Sequence, residues 1–600
     1  MTTAEVTVTG TNDDDLNTQS TTEGEGVMVS WKFDEELCRQ TLTKMIIIDE
    51  LPFKFVEREG FRYFLSVLQP KFKLLSRFTV VRDCLALYAI EKKKLKTLVS
   101  QLNQRICFTT DIWTSIQNLS YMCLTANFID KNWTLHKRIL NFCIMPSHKG
   151  KEIGRVVETC LLDWGIDKLC TLTVDNASSN DLAVAYLKEN KLSRNVGFFL
   201  LGGECFHMRC CAHILNLIVK DGLSDVNGSI VRIREAMKYV RSSPQRGERF
   251  QACVKRENIT FKSHLCLNVS TRWNSTYLML EVAVKFQKTF ERLEDDDIQF
   301  LPEVNNKAPS STDWEYARVL IVFLKKIYDA TNKLFGSLYV TSNRYFHEVL
   351  GIEKSLNTWS KSPDIWLSNM ATKMKIKFDK YWGSIEKVNM LVVLAVVLDP
   401  RYKLKFVEFC YSQLYSIEMV HNLSKKVMDT FNCIFSEYVK FHAFTSSSSG
   451  TSNIANEVGV DDGNVEDDFS SLYIKCKIQK ESSTPKSEVE KYLEEACEDV
   501  VPEFDILNWW KVNGSRYTIL SEIARDILAV PVSTVASESA FSTGGRVLDQ
   551  FRSSLTPKLV ECLICTQDWL QASPTPIDVE EKLEQLEQYD SDVTTVSYSD

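Results

Sequence analysis

No run in this 600-residue sequence approaches the roughly 18 to 20 apolar residues of a membrane span, and no basic start followed by an apolar stretch opens it. These absences point to a soluble intracellular chain with no membrane partner. A basic excess is missing too. The formal net charge is −8, which excludes a surface coated in lysine and arginine. Local basic grooves stay open, because the acids gather in segments that read as disordered, at 13–15, 461–468 and in the tail from 578. Repeated CxxC pairs are absent although there are 18 cysteines. Cys107, Cys123 and Cys143 sit inside apolar periodic runs and read as small buried hydrophobes of a reducing compartment.

With 44% hydrophobic and 25% charged residues, the chain has material for a large core in several domains or in one interrupted domain. Residues 1–30 lack apolar periodicity and read as a disordered tail. From 31 to 104 the spacing of residues such as Phe61, Phe64, Leu65 and Leu68 predicts helices. The segments RICFTTDIWT, YMCLTANFID and TLHKRILNFCIM then read as three strands, GKEIGRVVETCLLDWGI as an amphipathic helix and CTLTVDN as a fourth strand, with SNDLAVAYLKEN helical after it. HMRCCAHILNLIVKDG joins a short strand to a helix with a buried face. From about Val231 the pattern is helical for some 250 residues. Residues 444–487 read as an acidic flexible linker, and the acidic stretch 572–600 as a second disordered tail.

Three acids stand out. Asp111 in CFTTDIWTS and Asp175 in TLTVDNASSND each end an apolar, β-branched run. Glu538 is the single acid of VSTVASESAFSTGGRVL. There Pro531 ends any upstream helix, Ser533 or Thr534 can cap a new one, and Gly544 with Gly545 stops it about three turns later. Carboxylates from two strand ends and one helix suit a divalent-metal site for phosphoryl transfer, because hard oxygen ligands hold Mg²⁺ or Mn²⁺ against phosphate oxygens. The plainer reading makes the aspartates strand-end or helix-cap acids, with Asn176, Ser178 and Ser179 forming a turn, and Glu538 a surface acid near a helix N-terminus. Asp130 and Asp181 are the competing acids, Asp181 reading better as a helix cap. Cys210 and His213 have the spacing of half a zinc site, but no matching second pair follows.

LPFKFVEREGFR, TTDIWTS, TLTVDNASSND, HMRCCAHILNLIVKDGL, STRWNSTYLML, VVLDPRYKLKF and DILNWWKVN, followed by the Glu538 block, resemble the hAT transposases, and more closely their plant relatives of the RICESLEEPER and DAYSLEEPER type. The resemblance spans about Trp31 to Leu570. It implies an α/β fold: an RNase H-like domain beginning at 105–230, interrupted by a large all-α insertion at 231–443, with a helical N-terminal region at 31–104. Residues 488–571 would be the hAT C-terminal dimerisation region with the closing RNase H-like helices.

In that frame Asp111, Asp175 and Glu538 are the expected catalytic and metal-binding residues, with Mg²⁺ or Mn²⁺ as cofactor. Arg272 and Trp273 are expected to contact DNA, Trp273 by stabilising a flipped base, or else as a helix-start residue packed in the insertion. Lys92, Lys93 and Lys94 could touch phosphate or serve as a nuclear signal, or simply form a solvated helix face. Leu507, Trp509 and Trp510 are expected at a subunit contact, with core packing as the alternative. Relatives of this type carry a zinc-binding BED finger ahead of the LPFKFVE block, and no zinc finger is found here. The expectation is a nuclear, DNA-binding homo-oligomer, at least a dimer, of transposon-derived or domesticated regulatory type, able to pair with related hAT proteins. An active metal-dependent transposase, and a truncated copy that only dimerises with full-length relatives, are the alternatives.

Overall fold

The computed structural model describes residues 33–571 except 193–196, 225–226, 262–264, 269–272, 306, 337–338, 449–485 and 549–554. The two expected tails and most of the expected acidic linker lie outside the described residues. The chain opens with helices α1 (Glu35–Ile48), α2 (Glu59–Leu68) and α3 (Arg77–Ser100). Asp34 caps α1 by accepting from the Leu37 N–H, and Ser76 caps α3 by accepting from the Thr79 N–H.

A mixed five-stranded sheet follows, in the order β3-β2-β1-β4-β5. Its strands are β1 (Ile106–Thr114), β2 (Ser120–Ile129), β3 (Leu135–Ile144), β4 (Leu169–Val174) and β5 (His207–Arg209). β1 runs antiparallel to β2 and parallel to β4, which in turn is parallel to β5. β2 and β4 are buried along nearly their whole length because helices cover both faces, which is why they read as apolar runs without alternation. This is the sheet of an RNase H-like domain.

Helices α4 (Gly150–Trp164) and α5 (Ser178–Leu192) pack together closely. A Cβ on Gly154 would stand 2.6 Å from the Tyr186 ring, so only glycine admits this approach. After α6 (Cys211–Leu223) every described element from 227 to 448 is helical, around a core that includes the fully buried helix Met390–Val397. The last helix of this insertion, Ile417–Ser448, returns to the sheet. The Tyr438 hydroxyl donates to buried Asp526, Arg105 pairs with Glu437, and the Leu201 N–H donates to Glu437 at 3.0 Å.

The chain then supplies helices Thr518–Leu528, Val535–Val547 and Pro557–Leu570 to the domain that β1 began. Pro557–Leu570 lies against β3, α3 and α1. The helix carrying Glu538 is longer than the glycine pair suggested, running through Gly544 and Gly545 to Val547. Gly544 sits where a Cβ would meet Trp113 at 3.2 Å and Phe142 at 3.3 Å. At Gly544 close packing on the sheet therefore outweighs the helix penalty of roughly 1 kcal/mol. Among the described residues no helix is long and apolar enough to cross a membrane.

Candidate carboxylate site

The parallel register of β1 and β4 pairs Thr109 with Thr173. Two residues further along each chain stand Asp111 and Asp175, so the aspartates lie side by side. Asp175 directly follows β4, whereas Asp111 does not end its strand, because β1 stays paired with β2 as far as Thr114. Asp175 accepts from the Ala177 N–H at 2.9 Å and from the Asn180 amide, both through Oδ1. It thus fixes the entry into α5 while Oδ2 stays uncommitted, and its two readings, turn former and site acid, are compatible. The Asp111 carboxylate accepts from the Ile112 N–H at 2.7 Å. Burial pushes its pKa from the ordinary 3.8 up to about 7, the Ile112 hydrogen bond opposes the shift, and the charges of Glu538 and Asp175 add to it.

Glu538 reaches this place through a clasp at the start of its helix. Ser537 is fully buried, and its hydroxyl lies 2.9 Å from that of Thr109 on β1 and 3.4 Å from that of Thr125 on β2. The Thr173 hydroxyl donates to the Pro531 carbonyl at 2.8 Å, and the Cys211 N–H to the Val532 carbonyl at 2.9 Å. The Cys210 N–H donates to the last carbonyl of β4, that of Val174, at 2.8 Å. Its sulfur accepts from the Thr534 N–H at 3.4 Å and from the Thr534 hydroxyl at 3.2 Å. Burial raises the Cys210 thiol to about 11. Through its backbone N–H on one side and its sulfur on the other, Cys210 ties the Glu538 helix to the ends of β4 and β5. Thr534 is the residue before the helix, but its hydroxyl makes no capping bond. It bonds instead to Cys210 and to the Glu538 carboxylate at 3.1 Å.

No lysine, arginine or histidine pairs with Asp111, Asp175 or Glu538 among the described residues. The competing acids are committed elsewhere. Asp130 closes the β2–β3 hairpin by accepting from the Asn132 and Thr134 N–H groups and from His136, and Asp181 pairs with Arg209 at 2.9 Å. An all-oxygen, like-charged set without a cation of its own fits a divalent ion in charge and donor type. As they stand, no three acid, histidine or cysteine side chains among the described residues are close enough to share one ion. Glu538 is turned back along its own helix to Thr534.

The other expected site residues are spread out. Lys92 forms an ion pair with Asp163 at 2.9 Å and lies over the Tyr88 and Trp164 rings. Lys94 pairs with Glu91 at 2.8 Å, and Lys93 is exposed. Trp273 is the first residue of helix Trp273–Lys285, partly buried against the insertion core, and Arg272 lies outside the described residues.

Trp510 is fully buried in its own chain, donating to the Leu398 carbonyl at 3.0 Å and stacking on Trp133. Trp509 donates to Glu498 at 2.9 Å, and both it and Leu507 pack partly against the same core. The core-packing alternative therefore describes Trp510, while Leu507 and Trp509 remain half-buried in the single chain. Sequence reasoning missed the hydroxyls of Thr109, Thr125, Ser537 and Thr534. For Thr109 and Ser537 the signal was a small polar residue one or two positions before an acid, in TTD and in SES; Thr125 and Thr534 had no such mark.

Four family profiles match the chain: the ZBED1 RNase-like domain at 109–199, the ZBED1 RNase-like helical domain at 208–323, the hAT-like transposase, RNase-H fold at 343–438, and the hAT family C-terminal dimerisation region at 488–570. The third falls on helices of the insertion, with no strand among its described residues. The chain is 38% identical over 560 residues to the zinc finger BED domain-containing protein RICESLEEPER 2 of Oryza sativa subsp. japonica, covering 90% of this chain and 75% of that relative. RICESLEEPER 1 of the same plant is 37% identical with the same coverage. DAYSLEEPER of Arabidopsis thaliana is 33% identical over 90% of this chain and 74% of its own length.

Proposed function

The chain belongs to the hAT transposase family, and on that premise we propose that it is a nuclear, DNA-binding protein of transposon origin that dimerises and keeps a metal-dependent phosphodiester site at Asp111, Asp175 and Glu538. The observation that carries this reading is the register of β1 and β4, which sets Asp111 beside Asp175, with Glu538 near enough for its charge to bear on the buried Asp111 carboxyl. The charges of two acids from elements far apart in sequence add to the burial of Asp111, and among the described residues no lysine, arginine or histidine pairs with any of the three. Bound divalent ions would activate the attacking oxygen of water or of a DNA 3′-hydroxyl and stabilise the leaving oxygen.

The protein's own part is positional. Asp175 offers Oδ2 while Oδ1 is held by Ala177 and Asn180. Asp111 offers the oxygen that does not accept from Ile112. Glu538 joins them when its side chain leaves the Thr534 hydroxyl. The same Thr534 bond favours a second reading, a domesticated regulatory protein that binds DNA and dimerises with its acids held apart.

The experiment is nicking and joining of pre-cleaved 3′-hydroxyl DNA in Mn²⁺ by the purified full chain, beside Asp111→Asn and Glu538→Gln. Activity in the parent that both variants lose supports the catalytic reading. No activity from a folded dimer that still binds DNA selects the regulatory one.

A further inference from the structure

Toward the end of the sheet away from the carboxylates lies a cleft of about 670 Å³. It opens where the cross-sheet row Cys107–Asn127–Lys137 meets the β2–β3 hairpin, the start of helix Ser342–Trp359 and the segment around helix Ile506–Asn513. The space is in the range of sites for small molecules and too small for a duplex.

Its walls run against the composition of the chain. Lys137, Arg138, Arg344, Arg401 and Lys511 line it, against only Glu503 and Asp505, in a protein of net charge −8. Arg401 is neutralised by buried Asp399, and His136 of the hairpin bonds to Asp130. The other four have no ion-pair partner among the described residues. Arg138 donates only to the Lys137 carbonyl, and Arg344 lies over the Tyr339 ring at 4.6 Å. The acid that acts on Lys137, Asp568, is itself buried and accepts from the Ile139 N–H. Asp505 is committed to the Leu507 and Asn508 N–H groups, and Glu503 is exposed at the rim.

Buried polar atoms without partners also face this region. Asn343 is 3% exposed, gives its Nδ2 to Asp399 and leaves Oδ1 unpaired at the cleft wall. Asn127, 1% exposed, has an unpaired Nδ2 beside Lys137 in the narrow space that adjoins. Burial holds the Lys137 ammonium down to about 8, a shift that a bound anion would relieve.

Converging cations that outnumber the acids beside them select phosphate, guanidinium groups reading it through paired hydrogen bonds, and a free amide oxygen selects a hydroxyl. We propose that this cleft is a binding site for a small, multiply phosphorylated ligand, a nucleoside polyphosphate or a phosphorylated polyol, separate from the carboxylate site.

The test is calorimetric titration of the full chain with ATP and, separately, with inositol hexakisphosphate. EDTA is present so that no metal bridges either probe to the carboxylates. Arg344→Gln and Lys511→Gln should each weaken binding about tenfold or more, while Asp111→Asn leaves it unchanged. Lys511 is exposed on its helix, so that variant should keep the parent melting temperature even where Arg344→Gln loses stability. Binding of ATP alone assigns the nucleotide, and binding of inositol hexakisphosphate alone assigns the polyol. The proposal is overturned if neither probe binds at millimolar concentration, or if binding survives both substitutions. It is also overturned if a single-stranded oligonucleotide loses affinity in both variants and neither small probe displaces it, since the cleft is then part of a DNA track.

Discussion

The hydroxyls of Thr109 and Ser537 lie 2.9 Å apart in a position closed to solvent, joining β1 to the Glu538 helix across more than four hundred residues of chain. Thr109 is two residues before Asp111 and Ser537 is one before Glu538, so this contact sets the spacing between two of the three acids. Ser537→Ala leaves the Thr109 and Thr125 hydroxyls short of a partner and should cost about 1–3 kcal/mol. The check is the urea midpoint, read together with Mn²⁺ binding. An unchanged midpoint would mean that the hydroxyls find other partners and the clasp is dispensable.

Asp111 gives a pH dependence whose sign follows from its shift. Its folded pKa, about 7, lies above the ordinary 3.8. The folded protein therefore holds a proton that the unfolded chain releases, and the stability from this group, complete below about pH 4, is lost as pH rises toward and through 7. In EDTA near pH 8, Asp111→Asn should be more stable than the parent by about 2–4 kcal/mol, and the gap should close near pH 4. Mg²⁺ should raise the parent's melting temperature and leave the variant's unmoved. A variant that gains no stability at high pH would show that the three acids do not burden one another.

Asp111, Asp175 and Glu538 stood out because each interrupts a strongly patterned run; the structure ends β4 just before Asp175, but β1 continues past Asp111 to Thr114, since pairing with β2 outlasts the apolar pattern. The four longer strands and α4 to α6 were legible by the same periodicity. The clasp was not, because hydroxyls at 109, 125, 173, 534 and 537 acquire meaning only once the sheet register and the return of the chain after the insertion bring them together. Gly544 misled for a related reason. Glycine favours helix ends locally, and here it serves a contact with Trp113 and Phe142 that no local pattern reveals. Trp510 was expected at a subunit contact with core packing as the alternative, and its cover comes from Leu398 and Trp133, both distant in sequence.

The VVLDPRYKLKF block finds its use in Asp399, which is fully buried and held by Arg401 through Nε at 3.0 Å and Nη2 at 2.7 Å. Arg401→Met would strand that carboxylate with only the Asn343 amide and a backbone N–H. The expected loss is about 3–5 kcal/mol. Asp399→Asn added to Arg401→Met should recover part of it, because the uncompensated charge is then gone. Chemical denaturation of the two single variants and the double variant reads this coupling, and strict additivity would dismiss it.

Trp510 separates intrachain packing from subunit contact. Its ring is fully buried, stacked on Trp133 and bonded to the Leu398 carbonyl within one chain. Trp510→Ala should cost about 3–5 kcal/mol, equally at low and high protein concentration, since a cavity inside one chain does not obey mass action. A loss that fades as concentration rises would instead place the ring in a contact exchanged between subunits.

Gly544 tests whether packing or helix propensity governs the Glu538 helix. Replacing glycine with valine gains about 0.5 kcal/mol of helix propensity. The first new carbon, however, falls 3.2 Å from Trp113 and 3.3 Å from Phe142, both parts of the packed face beneath the helix. Overpacking there should cost about 1–3 kcal/mol, so the steric term should win. Because the displacement would lift the helix from the sheet, Gly544→Val should lose Mn²⁺ affinity as well as stability, although residue 544 carries no ligand. Gly545 has nothing within 4 Å of its added carbon, so Gly545→Ala should leave both readings intact or stabilise slightly. Equal effects at the two positions would refute the close approach at Gly544 as the reason for the glycine.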